Sequence, residues 1–228
     1  MKTFWTPLGN FDCYDEGTIP RALQAGQWWD VHLRPTLDAA RLGWALDLGA
    51  HIGWFTVYLA QRHQRVVAVE PYPSTFQWLD QNLRRWHAGA LPYTSYWPVA
   101  AYSHPCYLQF ATENERTDPG GWSFVPVPTT EHGVVRPLLP AVALDDYLPP
   151  DAPVTLIKAD CQGADLRALR GLTLTIARCR PLIVFEWEEG MAAWHGDTWE
   201  DYLRFFHTHR YTVTRISESF WDYEARPL

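Results

Sequence analysis

The runs RVVAV at 65–69 and PLIVFEW at 181–187 are apolar at nearly every position instead of every second one. A strand with one wet face alternates polar and apolar residues, whereas a strand covered on both faces does not. These runs therefore call for a sheet with a layer packed on each side. Further strands are predicted at 44–48, 93–99, 154–159 and 211–216. Apolar positions 52, 55, 59 and 60 keep helical spacing. Other helices are predicted over about 74–87 with Ser74 as N-cap, at 144–148, from Ala164 with Gly171 near its middle or end, and over 198–209. Strands alternating with helices predict an α/β fold: a doubly wound, mostly parallel sheet whose right-handed crossovers put helices on both faces.

Two stretches break the alternation. Residues 18–40 read as helical pieces interrupted by Gly26 and Pro35, and form an N-terminal cap within 1–43. From about 101 to 140, short apolar pieces such as CYLQF and SFVPV stand between Pro, Gly and polar turns, which predicts a β-rich insertion of hairpins. The tail after 216 reads as polar and aromatic. With 228 residues, one domain over 1–228 is expected, its core running from 44 to the end.

Charge and cysteine content narrow the function. Nineteen basic against 26 acidic residues give −7, so nucleic acid is not an expected partner. Cys13, Cys106, Cys161 and Cys179 are scattered and read as reduced thiols, and no metal site is read from the sequence. No run is apolar enough for a secretory leader or a membrane span, so a cytoplasmic location is expected. Aromatic residues make up 15% of the chain. They serve as core filling or as walls of a pocket; Trp28, Trp29 and the segment Gly120-Gly121-Trp122 are the candidates for exposure.

Ligands of doubly wound sheets bind beyond the carboxyl ends of the strands, where strand order reverses. The positions to read are therefore the strand ends. In the first βα turn, Gly49 and Gly53 leave room for a ligand to approach the backbone. Glu70 closes the next strand, where a carboxylate can accept both hydroxyls of a ribose. The glycine spacing is G-x-x-x-G, not the G-x-G-x-x-G of dinucleotide enzymes, and Asp47 precedes it. A carboxylate there repels a pyrophosphate but suits an amino group, directly or through water. That favours S-adenosylmethionine over a nicotinamide dinucleotide.

These segments resemble the FkbM-type methyltransferases, S-adenosylmethionine-dependent enzymes with the class I Rossmann-like fold. ALDLGAHIGWFTVYLA resembles the family's opening D-x-G-A-N-x-G, and VVAVEPYPSTFQWLDQNL its second strand with an E-P-x-P continuation. LDDYLPPDAPVTLIKADCQGADLRALRGL is similar to its most specific segment, and PLIVFEW to the strand that follows. His51 stands where the family has Asn, while Gln162 and Asp165 replace two Glu. GQWWD at 26–30 matches loosely, giving Asp30 little weight. The resemblance implies that Asp47, Gly49, Ala50, His51, Gly53, Trp54 and Phe55 surround the methionine end of the cofactor. It further implies that Glu70 and Pro71 hold the ribose, and that Ala100 and Ala101 border adenine.

Methyl transfer requires an aligned acceptor, excluded water and, for a hydroxyl, removal of a proton. Lys158 and Asp160 are two residues apart on one strand, hence on one face, and their attraction keeps both charged. Asp160 is expected to lie nearest the reacting methyl, touching cofactor as well as acceptor, as a base or an orienting group with Lys158 as partner. Glu186 ends the next strand and is expected to orient substrate. Cys161 is expected to turn away from that face. The expected reaction is O-methylation of a small-molecule hydroxyl: a sugar, a polyketide or another secondary metabolite. A cofactor-binding module without turnover, an RNA ribose 2′-O-methyltransferase and an NAD-dependent oxidoreductase stay open as alternatives.

Overall fold

The computed structural model describes residues 2–87, 93–110, 123–126 and 138–228. The chain opens with an antiparallel hairpin, β1 (Lys2–Thr6) and β2 (Gly9–Cys13), then α1 (Thr18–Gln24) and the short α2 (Arg34–Asp38). Next come β3 (Trp44–Leu48), α3 (Trp54–Ala60), β4 (Arg65–Val69), α4 (Pro73–His87) and β5 (Thr94–Trp97). Four short strands follow: β6 (Ala100–Ala101), β7 (Cys106–Phe110), β8 (Phe124–Pro126) and β9 (Leu139–Val142). The last part runs β10 (Val154–Ala159), α5 (Asp165–Arg170), α6 (Thr173–Cys179), β11 (Leu182–Glu186), α7 (Glu189–Ala192), α8 (Trp199–Thr208), β12 (Tyr211–Arg215) and β13 (Asp222–Pro227).

The main sheet has seven strands in the order β12-β13-β11-β10-β3-β4-β5. The five strands from β11 to β5 are parallel, and β13 is antiparallel to both its neighbours. The chain steps from β3 outward to β5, then returns to β10 on the other side of β3, so the order reverses between β3 and β10. Alternation along the strands divides the core. Ala45, Val66, Ala68, Leu156 and Val184 face one apolar layer, built with α3, α4 and the N-terminal hairpin. Leu46, Leu48, Val67, Val69, Ile157, Ile183 and Phe185 face the other, built with α5, α6 and α8. Both faces of β3, β4, β10 and β11 are therefore dry, as the unbroken apolar runs require, while the edge strand β5 is half-buried. Among the described residues, no helix is long and apolar enough to cross a membrane.

Several boundaries differ from the expectation. Gly171 lies at the end of a helix as expected, but that helix, α5, is short and a second, α6, follows; a Cβ on Gly171 would lie 2.0 Å from the Tyr102 carbonyl oxygen. Helix α4 starts at Pro73, so Ser74 sits in its first turn and is not the cap. Pro35 occupies the first turn of α2, where a missing N–H costs nothing, instead of breaking a helix. The segment 144–148 yields only a short 3₁₀ turn, Leu144–Asp146. The tail is a strand of the main sheet. The segment Gly120-Gly121-Trp122 lies outside the described residues.

Asn82 of α4 ties the N-terminal hairpin to the core. It is fully buried; its Oδ1 accepts from the Asp12 N–H at 2.7 Å, and its Nδ2 donates to the carbonyls of Asp12 and Ile52 at 2.9 Å each. Asn82→Ala strands three buried backbone groups, and urea unfolding is expected to show a loss of about 2–4 kcal/mol. A loss below about 1 kcal/mol would mean that those groups find other partners.

Candidate active site at the strand reversal

A cavity of about 450 Å³ opens at the carboxyl edge of β3, β4, β10 and β11, beside the reversal in strand order. Gly49, Ala50, His51, Trp54, Phe55, Glu70, Pro71, Ala100, Ala101, Lys158, Asp160 and Glu186 all line it. Asp47 and Gly53 do not. Asp47 is wholly buried behind the wall: it accepts from Thr56 Oγ1 at 2.6 Å and lies 3.9 Å from Lys158 Nζ. Asp47, expected to serve an amino group directly or through water, stands one residue back from the cavity, with Lys158 opposite it in the β3–β10 register.

Both glycines are required by backbone geometry. Both have positive φ, +76° at Gly49 and +88° at Gly53. A Cβ on Gly49 would sit 1.9 Å from the Asp160 carbonyl oxygen, and one on Gly53 would meet Leu79 of α4 at 2.8 Å. Gly49 therefore lets the ends of β3 and β10 close together, which brings Asp160 to the turn. His51 is also left-handed, φ 51°, a conformation that Asn and His tolerate better than most side chains. The backbone at this position thus favours Asn or His, and His51 also lines the cavity.

Glu70 is oriented by the turn it follows. Its Oε2 accepts from the His51 N–H at 2.9 Å, and its Oε1 from the Tyr72 N–H at 3.0 Å and Thr75 Oγ1 at 2.7 Å. Burial raises its pKa, and these three donors partly oppose that. A carboxylate has about four acceptor positions, so Oε2 keeps capacity for a ligand hydroxyl.

The opposite wall is acidic. Lys158 Nζ lies 3.2 Å from Asp160 Oδ2 and 4.8 Å over the Phe55 ring, buried to 3% exposure. Burial alone would lower the lysine pKa, but Asp160 and Asp47 outweigh it and hold the ammonium charged. Asp160 loses stability as an anion through burial, but Lys158 and the Gln162 amide more than compensate and keep its carboxyl below the ordinary range. It is therefore a persistent carboxylate and a weak base. Glu186 behaves oppositely: burial first, then Asp160, Asp165 and Asp222, raise it well above the usual carboxylate value. Asp222 faces it directly across the antiparallel β11–β13 pair.

Other placements depart from the expectation. Cys161 lines the cavity, because β10 ends at Ala159 and strand alternation no longer governs it; burial keeps its thiol protonated. Asp165 lies outside the cavity wall, fully buried, and accepts from the N–H groups of Cys161, Gly163 and Glu186 at 3.3–3.4 Å. Asp for Glu at 165 is thus a scaffold matter. Trp28 is packed against Trp54 and Tyr58, while Trp29 lines the cavity. Asp222, Phe220 and Trp221 also line it, and no motif in the sequence singles them out. The two rings are 43% and 52% exposed at its mouth. Phe220 stacks on His32 at 4.0 Å, and His32 Nε2 meets Asp222 Oδ2 at 2.7 Å.

Asp30, also in the wall, is pushed from 3.8 to about 7 by burial, then by Asp160 and Asp222, with Lys158 and His32 opposing. A carboxyl raised on folding stabilises the fold below its unfolded pKa, and that contribution is lost as pH rises to the folded value. Relative to wild type, Asp30→Asn should therefore gain stability from about pH 4 to about pH 7 and level off above. Thermal melts across that range test it; a pH-independent difference would place Asp30 among ordinary solvated carboxylates.

The family pattern described as "Methyltransferase FkbM domain" matches residues 47–213, which include the turn, Glu70 and the Lys158–Asp160 pair. The chain belongs to the FkbM methyltransferase family. Comparison with proteins of curated function finds no match. Among solved structures, the FkbM methyltransferase from Methylobacillus flagellatus superposes with a TM-score of 0.58 at 19% identity. That alignment covers 81% of this chain but 43% of the Methylobacillus chain, so this chain spans less than half of that protein. Magnesium protoporphyrin IX methyltransferase from Synechocystis, solved with bound SAM, gives 0.51 at 10% identity over 95% of this chain and 87% of its own. At these identities the likeness is one of fold. In this FkbM-family chain the matched segment supplies Glu70, Lys158, Asp160 and Glu186 of the cavity wall, while Asp30, Phe220, Trp221 and Asp222 come from outside it.

Proposed function

We propose that this chain is an S-adenosylmethionine-dependent methyltransferase acting on a hydroxyl of a small molecule such as a sugar or polyketide. The observation that carries the reading is Glu70, at the carboxyl end of β4, facing the same cavity as the 49–53 turn. The donor set fits the cofactor. Its ammonium and sulfonium are cations, and Asp30, Glu70, Asp160, Glu186 and Asp222 line the cavity. Among the described lining residues Lys158 is the one permanent cation, and its charge is already engaged by Asp160 and Asp47. A pyrophosphate would meet mainly carboxylates there. Glu70 would hold the ribose, Ala100 and Ala101 would border the base, and Asp160 would hold the amino acid end.

When bound, S-adenosylmethionine supplies a methyl group activated on sulfur. The chain's residues then have three tasks. Asp160, kept ionised by Lys158, orients the acceptor hydroxyl by accepting its hydrogen bond. Trp29, Phe55, Phe220 and Trp221 exclude water and offer flat faces to an acceptor ring. Glu186, the more basic carboxylate, receives the proton.

Calorimetric titration tests the cofactor first. One site for S-adenosylmethionine and for its demethylated product is expected, with no heat from NAD; the reverse pattern would establish a dinucleotide enzyme. A methyl-transfer screen over sugar and polyketide acceptors then tests the reaction. Binding without turnover across the panel would favour the cofactor-binding module.

A further inference from the structure

Strands β10 and β11 are parallel neighbours with Ala159 opposite Phe185, so the next residue of each, Asp160 and Glu186, emerges at the same edge. Two carboxylates placed this way repel unless something lies between them. Here it is Gln162. Its Nε2 donates to Asp160 Oδ1 at 2.8 Å and to Glu186 Oε2 at 3.1 Å, one amide hydrogen for each acid. The reach is built into the turn. Gln162 is left-handed at φ 51°, and Gly163 follows at φ +95°, where a Cβ would come within 2.5 Å of the Met191 backbone. Asp165 clamps the same turn through the Cys161 and Gly163 N–H groups.

We propose that Gln162 is a positioning residue whose single amide joins Asp160 and Glu186 into a pair that takes up one proton, with Glu186 receiving it. The asymmetry comes from Lys158, whose ammonium is 3.2 Å from Asp160. The groups bearing on Glu186 are Asp160 at the end of β10, Asp165 on α5 and Asp222 on β13, with Lys158 the opposing charge. A proton arriving at the pair therefore settles on Glu186. The proton's source rests on the methyltransferase reading. The acceptor O–H bond breaks with its electron pair left on the acceptor oxygen; the proton passes to Asp160, which already accepts its hydrogen bond, and then leaves Asp160 as the new O–H bond forms on the Glu186 carboxylate. A glutamate at position 162 would remove the donor and add a third negative charge, undoing the arrangement.

The pair can be tested without cofactor or acceptor, so its failure is separable from failure of the enzyme assignment. The full chain is labelled with carboxyl-¹³C glutamate, the Glu186 resonance is assigned by its loss in Glu186→Gln, and its titration is followed by NMR. Gln162→Met, which keeps length and removes the donor, should move the Glu186 midpoint up by about one pH unit, and Gln162→Glu further. Asp160→Asn should move it down by a similar amount, and this variant decides the matter should the Gln162 variants not fold. An unmoved midpoint in Gln162→Met or in Asp160→Asn overturns the pair. With an acceptor found in the screen, the rising limb of kcat/KM should follow the Glu186 midpoint in wild type and in Gln162→Met. A limb that stays in place while the midpoint moves would remove Glu186 as the proton's destination.

Discussion

Lys158→Met is expected to lower the unfolding free energy by about 3–5 kcal/mol at neutral pH. The lysine is the cation between Asp47, which is wholly buried, and Asp160, in the cavity wall. Removing it takes away the charge partner of Asp47, whose hydrogen-bond donor is Thr56, in a place where burial already raises its pKa. The added variant Asp47→Asn should recover more than 1 kcal/mol, because the uncompensated charge is then gone. The deficit should also shrink as pH falls, since Asp47 can then protonate. Urea unfolding of the two single variants and the double variant measures the coupling. Additive effects would show that the two side chains do not depend on one another.

Gly49→Ala should be nearly as damaging and should abolish cofactor binding. Its Cβ would fall 1.9 Å from a backbone oxygen, that of Asp160, which cannot rotate away as a side chain could. Strain at φ +76° adds about 1–2 kcal/mol and the overlap about 1–3 kcal/mol. The strand ends must part, carrying Asp160 away from the turn. Gly26→Ala is the control: φ is +64°, yet nothing lies within 4 Å of its Cβ, so only the conformational cost of about 1–2 kcal/mol is expected. Equal losses at both sites would mean that closure of β3 on β10 contributes little.

What the sequence disclosed was local. RVVAV and PLIVFEW announce buried parallel strands because each residue faces a dry layer. Glu70 is legible because it closes a strand one crossover after a glycine turn. Lys158 and Asp160 are legible as a pair because two residues along a strand share a face. Register between distant strands is not written locally, so nothing in the sequence places Lys158 opposite Asp47 or sets Asp47 behind the cavity wall. The same holds for Glu186 opposite Asp222. Strand β13 escaped because DYEARP is mostly polar and only Ala225 within it is fully buried. With it went Phe220 and Trp221 at the cavity mouth. The N-terminal hairpin is equally mixed, and its attachment depends on Asn82, far along the chain.

The most direct test is a crystal structure of the chain with the demethylated cofactor, S-adenosylhomocysteine, at saturating concentration. The nucleoside should lie in the cavity between the 49–53 turn and β4, a ribose hydroxyl on Glu70, with the homocysteine end reaching toward Asp160. A ligand bound elsewhere, or a cavity left empty with Glu70 still closed on its own turn, would contradict the assignment of that cavity to the cofactor.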